Sequence, residues 1–378
     1  MRPACVADYR EAARRRLPRV LFDYIDGGSY AEETLAANVG DLKALTLRQR
    51  VLVDVSKLSM ETEVFGQKLS MPVALAPVGL AGMYARRGEA QAAKAAKAAG
   101  VPFSLSTVGV CTIEEVAKAA APPWFQLYMV RDRGFMTEVL ARAAEAACPV
   151  LLFTVDLPTP GARYRDVRNG MVATTTEARL RQALDGLAHP GWLWDVQING
   201  GPHTLGTVAS QAKDLKRLME FFGWIGRNFD ASITWKDIDW VRERWKGPIV
   251  VKGVLDAEDA REAKKAGVDG VVVSNHGGRQ LDGAPSSIAA LSAVADAVGG
   301  DMTILMDGGI RSGLDVLKAL AMGADACLVG RAWAWALGAE GEKGVAHMLS
   351  VMRHELRVAM ALTGCTDVRK AGRDLLNF

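Results

Sequence analysis

The amino-acid sequence predicts an α/β fold, a (β/α)8 TIM barrel with an N-terminal helical extension and a long insertion after the fourth strand. Eight short apolar segments recur along the chain, and alanine-rich helical segments such as 88–100 and 314–324 lie between most of them. Continuous apolar strands that alternate with helices are typical of a parallel sheet buried on both faces. An open doubly wound sheet is the alternative, but "LAPVGLAGM" after the first strand is a poor phosphate loop. The predicted strands are 72–77, 102–107, 124–128, 149–156, 248–253, 270–275, 303–309 and 326–331.

Polar side chains gather at or just beyond the carboxyl ends of these strands. The carboxyl ends of barrel strands meet at one face, where the chemistry of such barrels takes place. Independent strands that all end in polar groups therefore predict a single functional site. These polar residues are Ser106, Gln126, Tyr128, Thr154, Asp156, Lys252, His276, Arg279, Asp307, Arg311 and Arg331.

Two segments do not follow the strand–helix repeat. Residues 1–70 are predicted to form a helical extension that contains "FDYIDGG". Residues 160–235 form an insertion that is far longer than a usual connection between strand and helix. We expect both segments to belong to one domain that spans residues 1–378.

Bulk composition excludes several classes of protein. The chain has 378 residues with 46 basic and 43 acidic side chains, so its charge gives no reason to expect nucleic-acid binding. Its five cysteines are scattered without a C-x-x-C pair, which predicts a reducing, cytoplasmic compartment and neither a disulfide framework nor a metal site. The charged N-terminus does not resemble a signal peptide, and no apolar run of about 18 residues predicts a membrane span.

The string "SNHGGRQLDG" at 274–283 brings a base and a cation together after a strand. A histidine titrates near neutral pH and suits proton transfer, and an arginine three residues later offers a fork of donors for a carboxylate or phosphate. Asp156 could orient this imidazole, or it could cap the turn before Pro158. A structural hydrogen bond is the alternative role for His276, and the adjacent Arg279 favours the functional one.

Glycines and arginines after the last two strands predict a phosphate site. "MDGGIRSGLD" at 306–315 and "LVGRA" at 328–332 expose backbone N–H groups and begin helices at once. Lys252 could form a Schiff base, hold a phosphate or stabilise an anionic cofactor ring, or it could point into solvent. Arg163 could be a second carboxylate clamp or a solvated surface residue.

Together these motifs resemble the FMN-dependent 2-hydroxy acid dehydrogenase and oxidase family. The resemblance extends from "FDYIDGG" to "LTG" near residue 364, and "SNHGGRQLDG" is the family's signature. "PGARYRD", "HPGWLWDV", "IGRNFD" and "SITWKDIDW" are most similar to the bacterial membrane-associated L-lactate dehydrogenases.

The resemblance implies a role for each matching residue. His276 matches the catalytic base, Asp156 its carboxylate partner, and Tyr128 the hydrogen-bond partner of the substrate oxygen. Tyr24, Arg163 and Arg279 match groups that bind the substrate carboxylate, and Gly79 and Val108 match positions around its side chain. The implied FMN contacts are Pro77, Val78, Gly79, Ser106, Gln126, Thr154, Lys252, Ser274, Asp307, Gly308, Gly309, Arg311, Gly330 and Arg331.

The resemblance also implies an activity and partners. We expect oxidation of an L-2-hydroxy acid, L-lactate to pyruvate, with electrons passed to quinone or another respiratory acceptor. An oxidase that uses O2, a mandelate-type dehydrogenase, a phosphate-binding barrel lyase with a Lys252 Schiff base and a catalytically idle scaffold are alternatives. The small residues Gly79 and Val108 predict a pocket that admits side chains larger than a methyl group.

A homotetramer at the cytoplasmic face of the inner membrane is the implied assembly. The insertion is predicted to serve partly as a lid, because Arg163 lies at its start. Its aromatic residues are predicted to contact the headgroups, with packing over the barrel mouth or between subunits as the alternative. The residues that predict this contact are Trp192, Trp194, Phe221, Phe222 and Trp224, near Arg217 and Arg227.

Overall fold

A parallel barrel forms the centre of the computed structural model, which describes residues 3–171, 175–211 and 221–377. Eight parallel strands pair in the order β3-β10-β9-β8-β7-β6-β5-β4, and a parallel bridge between Leu75 and Phe103 joins the two ends of this order. The predicted fold is therefore confirmed. The barrel strands are β3 (Val73–Leu75), β4 (Ser104–Ser106), β5 (Trp124–Leu127), β6 (Leu151–Thr154), β7 (Ile249–Val254), β8 (Gly270–Val273), β9 (Thr303–Met306) and β10 (Ala326–Val329).

Helices surround the barrel and build the two added segments. Side chains of Thr112, Asp256, Ser286 and Ser312 cap four of the surrounding helices at their N-termini. The α-helices are Val6–Arg16, Arg19–Asp26, Glu33–Ala44, Gly88–Ala99, Ile113–Ala119, Arg133–Glu145, Tyr164–Arg168, Thr176–Leu187, Pro190–Trp192, Phe221–Asn228, Asp237–Arg244, Ala257–Lys265, Ser287–Val298, Gly313–Ala321 and Arg331–Thr363. A π-helix covers Leu193–Ile198, and 3-10 turns cover Ala81–Met83, Val368–Lys370 and Arg373–Leu375.

The N-terminal extension contains a hairpin as well as three helices. Strands β1 (Thr62–Val64) and β2 (Gln67–Leu69) pair antiparallel across a turn in which Phe65 and Gly66 have φ values of 51° and 73°. Val64 and Leu69 pack with the apolar residues that fill the barrel interior, and the Phe65 ring meets Trp124 edge-on at 5.8 Å. The predicted helical extension therefore also carries a short hairpin, which covers apolar surface of the barrel interior.

The described part of the insertion contains several short helices and packs onto the barrel. Trp192 and Trp224 are only 7% and 4% exposed, and their indole N–H groups donate to the carbonyls of Met83 and Gln211. The prediction that these two rings contact a membrane was therefore wrong, because they are buried within the protein. Trp194 is 65% exposed. Arg217 and the side chains of Phe221 and Phe222 lie outside what the structure describes.

Candidate active site

A pocket opens at the carboxyl ends of the barrel strands. Its empty volume, which includes the solvent at its mouth, is about 1140 Å³. Strand ends, the N-terminal extension and the insertion all contribute to its wall. The predicted site residues that line it are Tyr24, Pro77, Val78, Gly79, Val108, Tyr128, Thr154, Arg163, Lys252, His276, Arg279, Asp307, Gly308, Gly309, Arg311, Gly330 and Arg331.

Four predicted residues lie directly behind this wall. Ser106 Oγ donates to Gln126 Oε1 at 3.0 Å, and Gln126 Nε2 donates to Thr154 Oγ1 at 3.0 Å. Ser274 accepts a hydrogen bond from Lys252 Nζ at 2.9 Å, and Asp156 contacts His276. These four residues therefore fix the orientation of side chains that face the pocket.

The imidazole of His276 lies between a carboxylate and a phenol. Its Nδ1 is 2.9 Å from Asp156 Oδ1, and its Nε2 is 3.3 Å from the Tyr128 hydroxyl. An ionised carboxylate can only accept a hydrogen bond, so the neutral ring carries its proton on Nδ1 and leaves Nε2 free to take another. This geometry leaves His276 Nε2 available to accept a proton on the pocket side.

Burial and the neighbouring carboxylate act in opposite directions on His276. Burial lowers the pKa of the imidazole, and Asp156 raises it only in part. Burial also works to raise the pKa of Asp156, but His276 and Lys252 hold that pKa below its usual value. The pair is therefore a neutral histidine beside an ionised aspartate, as a base near neutral pH requires.

Gly253 is a site residue that the sequence reasoning missed. Its φ is 114°, and a Cβ added there would lie 2.5 Å from Asp156 Cβ. Only glycine allows this strand end to approach the aspartate so closely. The signal was present in the sequence, because Gly253 directly follows Lys252 in "VVKG".

Two arginines and a tyrosine form a cationic end of the pocket. The Arg279 guanidinium lies 4.8 Å from the centroid of the Tyr24 ring, and that of Arg163 lies 5.9 Å from it. Burial and the charge of Arg279 both lower the pKa of Arg163. A bound carboxylate would relieve this repulsion between buried cations, so this end of the pocket fits an anionic substrate.

Arg279 also fixes the N-terminal extension. Its Nη1 donates to the carbonyls of Tyr24 at 2.6 Å and Gly27 at 2.9 Å. Arg331 donates to the carbonyls of Ile25, Gly27 and Gly277 at 2.8 to 3.1 Å. The "FDYIDGG" motif is thus bound to the barrel through its main chain, which brings Tyr24 to the pocket.

Lys252 is buried in a polar setting that keeps it charged. Its Nζ lies 3.0 Å from Asp307 Oδ2. Burial works to lower the pKa of Lys252, but Asp307 and Asp156 raise it above the usual value. A Schiff-base lysine needs a lowered pKa and a neutral amine, so this setting argues against the lyase alternative.

The turn after β9 has the properties of an anion cradle. Gly308 and Gly309 have φ values of 93° and 87°, and a Cβ on Gly309 would lie 2.0 Å from the Asn38 carbonyl oxygen. The Arg311 guanidinium lies 4.9 Å from the Trp335 ring centroid, and burial lowers its pKa to about 10. No carboxylate forms an ion pair with Arg311 among the described residues, which leaves its charge available to a ligand.

Helix Phe221–Asn228 of the insertion contributes a wall that the sequence did not predict. Ile225 lines the pocket, and Trp224 contacts Phe229 edge-on at 6.2 Å. Phe229 in turn packs on the Tyr128 ring at 5.0 Å. The insertion therefore contributes Ile225 to the pocket wall and contacts the Tyr128 ring through Phe229.

The site combines a histidine held by a carboxylate, a buried lysine and several arginines at one end of a barrel. These features define a class of enzymes that act on small anionic substrates beside an anionic cofactor. A model of the FMN-dependent dehydrogenase family matches residues 13–378. The chain belongs to this FMN-dependent family, which confirms the predicted resemblance and cofactor.

Curated relatives match the chain over nearly its whole length. It is 59% identical to an L-lactate dehydrogenase of Caulobacter sp. over 370 residues, 98% of this chain and 97% of the relative. An L-lactate dehydrogenase of Stenotrophomonas maltophilia is 59% identical over the same shares of the two chains.

Solved structures share the fold. A monotopic membrane protein, (S)-mandelate dehydrogenase, superposes with a TM-score of 0.92 at 36% identity and full coverage of both chains. A mandelate oxidase with (S)-4-hydroxymandelic acid gives a TM-score of 0.86 at 38% identity, with 99% of this chain and 98% of that chain covered.

The residues of the pocket fit the FMN of the family. Two buried oxygens, Asp307 Oδ1 and Asp156 Oδ2, lack a hydrogen-bond partner in the described part of the chain. Arg311 and the glycine turn offer a cation and exposed main chain to a phosphate, and Lys252 offers a second cation. Buried polar atoms in folded proteins normally have a hydrogen-bond partner. The two unpaired carboxylate oxygens are therefore consistent with a pocket that binds a polar ligand such as FMN.

Proposed function

We propose that this protein oxidises L-lactate to pyruvate with bound FMN as the immediate electron acceptor. The observation that carries the proposal is the contact of His276 with Asp156 and Tyr128 beside the arginines that face the same pocket. The relatives at 58–59% identity over the whole chain, which are L-lactate dehydrogenases, support lactate as the substrate.

The FMN would be held by residues from most strand ends. The Gly308–Gly309 turn, Gly330 and Arg311 would bind its phosphate and ribityl chain, together with Asp307. Lys252 would lie beside the ring edge, positioned by Ser274. When bound, FMN would accept the two electrons and one of the two protons that leave the substrate, and His276 would take the other proton. The remaining proposed contacts are Pro77, Val78, Gly79, Ser106, Gln126, Thr154 and Arg331.

The substrate would be oriented through its carboxylate. Arg279 and Arg163 would supply the cations, and Tyr24 would donate a hydrogen bond to the same group. The Tyr128 hydroxyl would bind the substrate hydroxyl, since it already lies 3.3 Å from His276 Nε2.

The proton would move to His276 Nε2. In either order of proton and electron transfer the imidazole becomes positively charged, and Asp156 stabilises that charge from the Nδ1 side at 2.9 Å. Burial of both groups keeps water away and strengthens their interaction.

Anaerobic mixing of the FMN-loaded protein with a panel of L-2-hydroxy acids tests the proposal. Bleaching of the flavin absorbance by L-lactate, with pyruvate as product, supports it. Bleaching by L-mandelate alone would instead favour the mandelate-type alternative, which the solved structures of mandelate enzymes make a specific candidate. No reduction by any hydroxy acid would refute both.

The side-chain end of the pocket supports a substrate range beyond lactate. Gly79 and Val108 both line the pocket, and neither residue carries a side chain larger than an isopropyl group. We therefore propose that longer aliphatic hydroxy acids and mandelate also react. Refusal of every acid larger than lactate would show that Ile225 or another wall residue closes this end.

We further propose that quinone reoxidises the flavin. The protein reduced by lactate is mixed with either oxygen or a soluble quinone analogue, and the return of flavin absorbance is followed. Faster reoxidation by the quinone supports the dehydrogenase assignment, and faster reoxidation by oxygen supports the oxidase alternative.

An apolar stripe on the insertion supports peripheral contact with the inner membrane from the cytoplasmic side. Leu180, Leu184 and Leu187 are 58–65% exposed and lie four and three residues apart, so they share one face of helix Thr176–Leu187. Trp194 and Ile198, 65% and 60% exposed, extend the apolar surface. Among the residues the structure describes, no helix is long and apolar enough to cross a membrane.

Liposome co-sedimentation tests this contact. Leu184→Ser combined with Trp194→Ser should reduce binding to anionic liposomes without changing lactate oxidation. Leu281→Ser, at a leucine that is 69% exposed and lies outside the insertion, is the matched control and should bind as the wild type does. Equal binding by all three proteins, or none by the wild type, would refute the membrane role.

We also propose a homotetramer. Neighbouring exposed apolar residues support a subunit contact: Val51 and Leu52 are 73% and 104% exposed, and Arg50 N donates to the carbonyl of Leu362, which is 55% exposed. Sedimentation velocity of the wild type and of Leu52→Glu tests this. A monomeric wild type would refute the assembly.

A further inference from the structure

A pair of buried asparagines connects the N-terminal extension to the loop that carries His276. Asn38, on helix Glu33–Ala44, donates from Nδ2 to Asn275 Oδ1 at 2.9 Å. Asn275 in turn donates a hydrogen bond from its Nδ2 to Asn38 Oδ1 at 2.8 Å. Both side chains are buried, at 2% and 4% exposure. A reciprocal amide pair of this kind fixes both partners, because breaking either bond leaves a buried polar group unpaired.

Asn275 directly precedes a stretch of unusual backbone. His276, Gly277 and Gly278 all have positive φ, with values of 58°, 67° and 72°. Positive φ at a histidine is strained and persists only where the surroundings enforce it. Asn275 Oδ1 accepts from Gly278 N at 3.0 Å, which closes the loop around His276.

Asn38 also touches the glycine turn proposed to hold the phosphate. Its main-chain oxygen lies 2.0 Å from the position of a Cβ on Gly309, and its Oδ1 lies 3.1 Å from that of a Cβ on Gly308. The same Oδ1 accepts from the main-chain N–H of Ser287 at 3.1 Å. One side chain from outside the barrel thus contacts the base loop, the phosphate turn and the start of helix Ser287–Val298.

We propose that Asn38 is a positioning residue that sets His276 and the phosphate turn in register with one another. It contacts neither the substrate nor the reacting atoms, and it acts through Asn275 and the Gly308–Gly309 turn. The inference rests on the proposed function of the pocket, since it assigns His276 as base and the turn as phosphate site. It predicts that loss of one amide impairs two properties that are otherwise independent, FMN affinity and the rate of the chemical step.

The test replaces Asn38 with alanine and measures FMN affinity without substrate, by quenching of FMN fluorescence on titration into the apoprotein. Loss of the amide pair should raise the Kd of FMN by about 10-fold. In the reconstituted enzyme, kcat should fall by about 10²-fold while KM for L-lactate changes little, because the base is misplaced but the arginines are not.

Asp41→Asn is the matched control. Asp41 lies on the same helix and accepts from Ser286 Oγ at 2.5 Å, but it has no bond to Asn275. It should lower the melting temperature while leaving kcat and the Kd of FMN within about threefold of wild type. If Asn38→Ala does not fold, Asn38→Ser, which puts one polar hydroxyl in place of the amide, is measured against the same criteria.

Wild-type values of kcat and FMN affinity in a folded Asn38 variant would overturn the proposal, as would equal losses in Asp41→Asn. A wild-type protein that binds FMN but does not oxidise lactate would refute the proposed substrate instead. The FMN titration of Asn38→Ala would still report on the phosphate turn in that case, so the two failures are distinguishable.

Discussion

Replacement of Asp156 by asparagine should slow oxidation of L-lactate while leaving the pocket intact. The amide is nearly the same size as the carboxylate, and its Oδ1 can still accept from His276 Nδ1. What disappears is a full negative charge 2.9 Å from the imidazole that becomes positive during the reaction. The substitution therefore isolates the electrostatic contribution of the carboxylate.

The size of the loss follows from Coulomb's law. Two unit charges about 4 Å apart interact by about 4 kcal/mol at an effective dielectric constant of about 20. Each 1.36 kcal/mol is about tenfold in rate, so kcat should fall by about 10³-fold. If the amide instead presents its Nδ2 to His276, the ring loses its reactive tautomer and the loss reaches about 10⁴-fold.

Stopped-flow reduction of the flavin by L-lactate measures this step directly, as a function of pH. A base works only when unprotonated, so the rate rises through the pKa of His276 as pH increases. Asp156 raises that pKa, so removing its charge should lower the pKa further and move the acidic limb to lower pH. The plateau should fall at the same time.

Asp269 provides a matched control for the substitution of Asp156. Asp269→Asn changes a carboxylate just before β8, at the opposite end of the barrel, where it contacts Ile249 N and Arg242. It should leave the rate of flavin reduction unchanged. A rate within tenfold of wild type in Asp156→Asn, or an acidic limb that moves to higher pH, would refute the assignment of this pair.

Substitutions at three further residues probe the rest of the pocket. Gly309→Ala should yield colourless protein, because its Cβ would lie 2.0 Å from the Asn38 carbonyl oxygen; absorbance of the purified protein checks this. Lys252→Met should slow flavin reduction more than it weakens FMN binding, since it removes a buried charge beside the proposed ring, as stopped-flow and FMN titration will show. Arg279→Met should raise KM for L-lactate by about 10²-fold, and it should lower the melting temperature because two main-chain carbonyls lose their donor. Arg279→Lys should restore neither the KM nor the melting temperature in full. Steady-state kinetics and thermal melts measure both effects.

The barrel and the location of its site followed from the sequence alone. Each predicted strand overlaps an observed one, because continuous apolar runs between glycine or proline and helical segments have few other stable arrangements. Strand β7 (Ile249–Val254) ends one residue beyond its predicted range of 248–253. The hairpin Thr62–Leu69 was missed because its strands are only three residues long and its turn begins with a phenylalanine at positive φ. Such a conformation is enforced by tertiary packing, here against Trp124, and not by local preference.

The aromatic composition of the insertion did not predict which of its rings are exposed. Trp192 and Trp224 were counted with Trp194 because all three lie in one aromatic insertion, yet only Trp194 is exposed. An aromatic ring is as suited to covering a barrel as to meeting a lipid headgroup, and its sequence neighbours do not distinguish the two. The exposed stripe Leu180, Leu184 and Leu187 has helical periodicity that could have been found from the sequence.

For Arg331, the sequence predicted the location of the residue but not the hydrogen bonds that it makes there. The motif "LVGRA" located it beside the pocket, but its guanidinium donates to the carbonyls of Ile25, Gly27 and Gly277. Its Nη atoms retain further N–H groups, so one arginine can brace the N-terminal segment and still contact a phosphate. Arg279 binds the same segment through the carbonyls of Tyr24 and Gly27. The two arginines that hold Tyr24 at the pocket therefore also line that pocket themselves. The substrate site and the packing of the N-terminal extension are therefore one structure, and changes in either arginine should alter both.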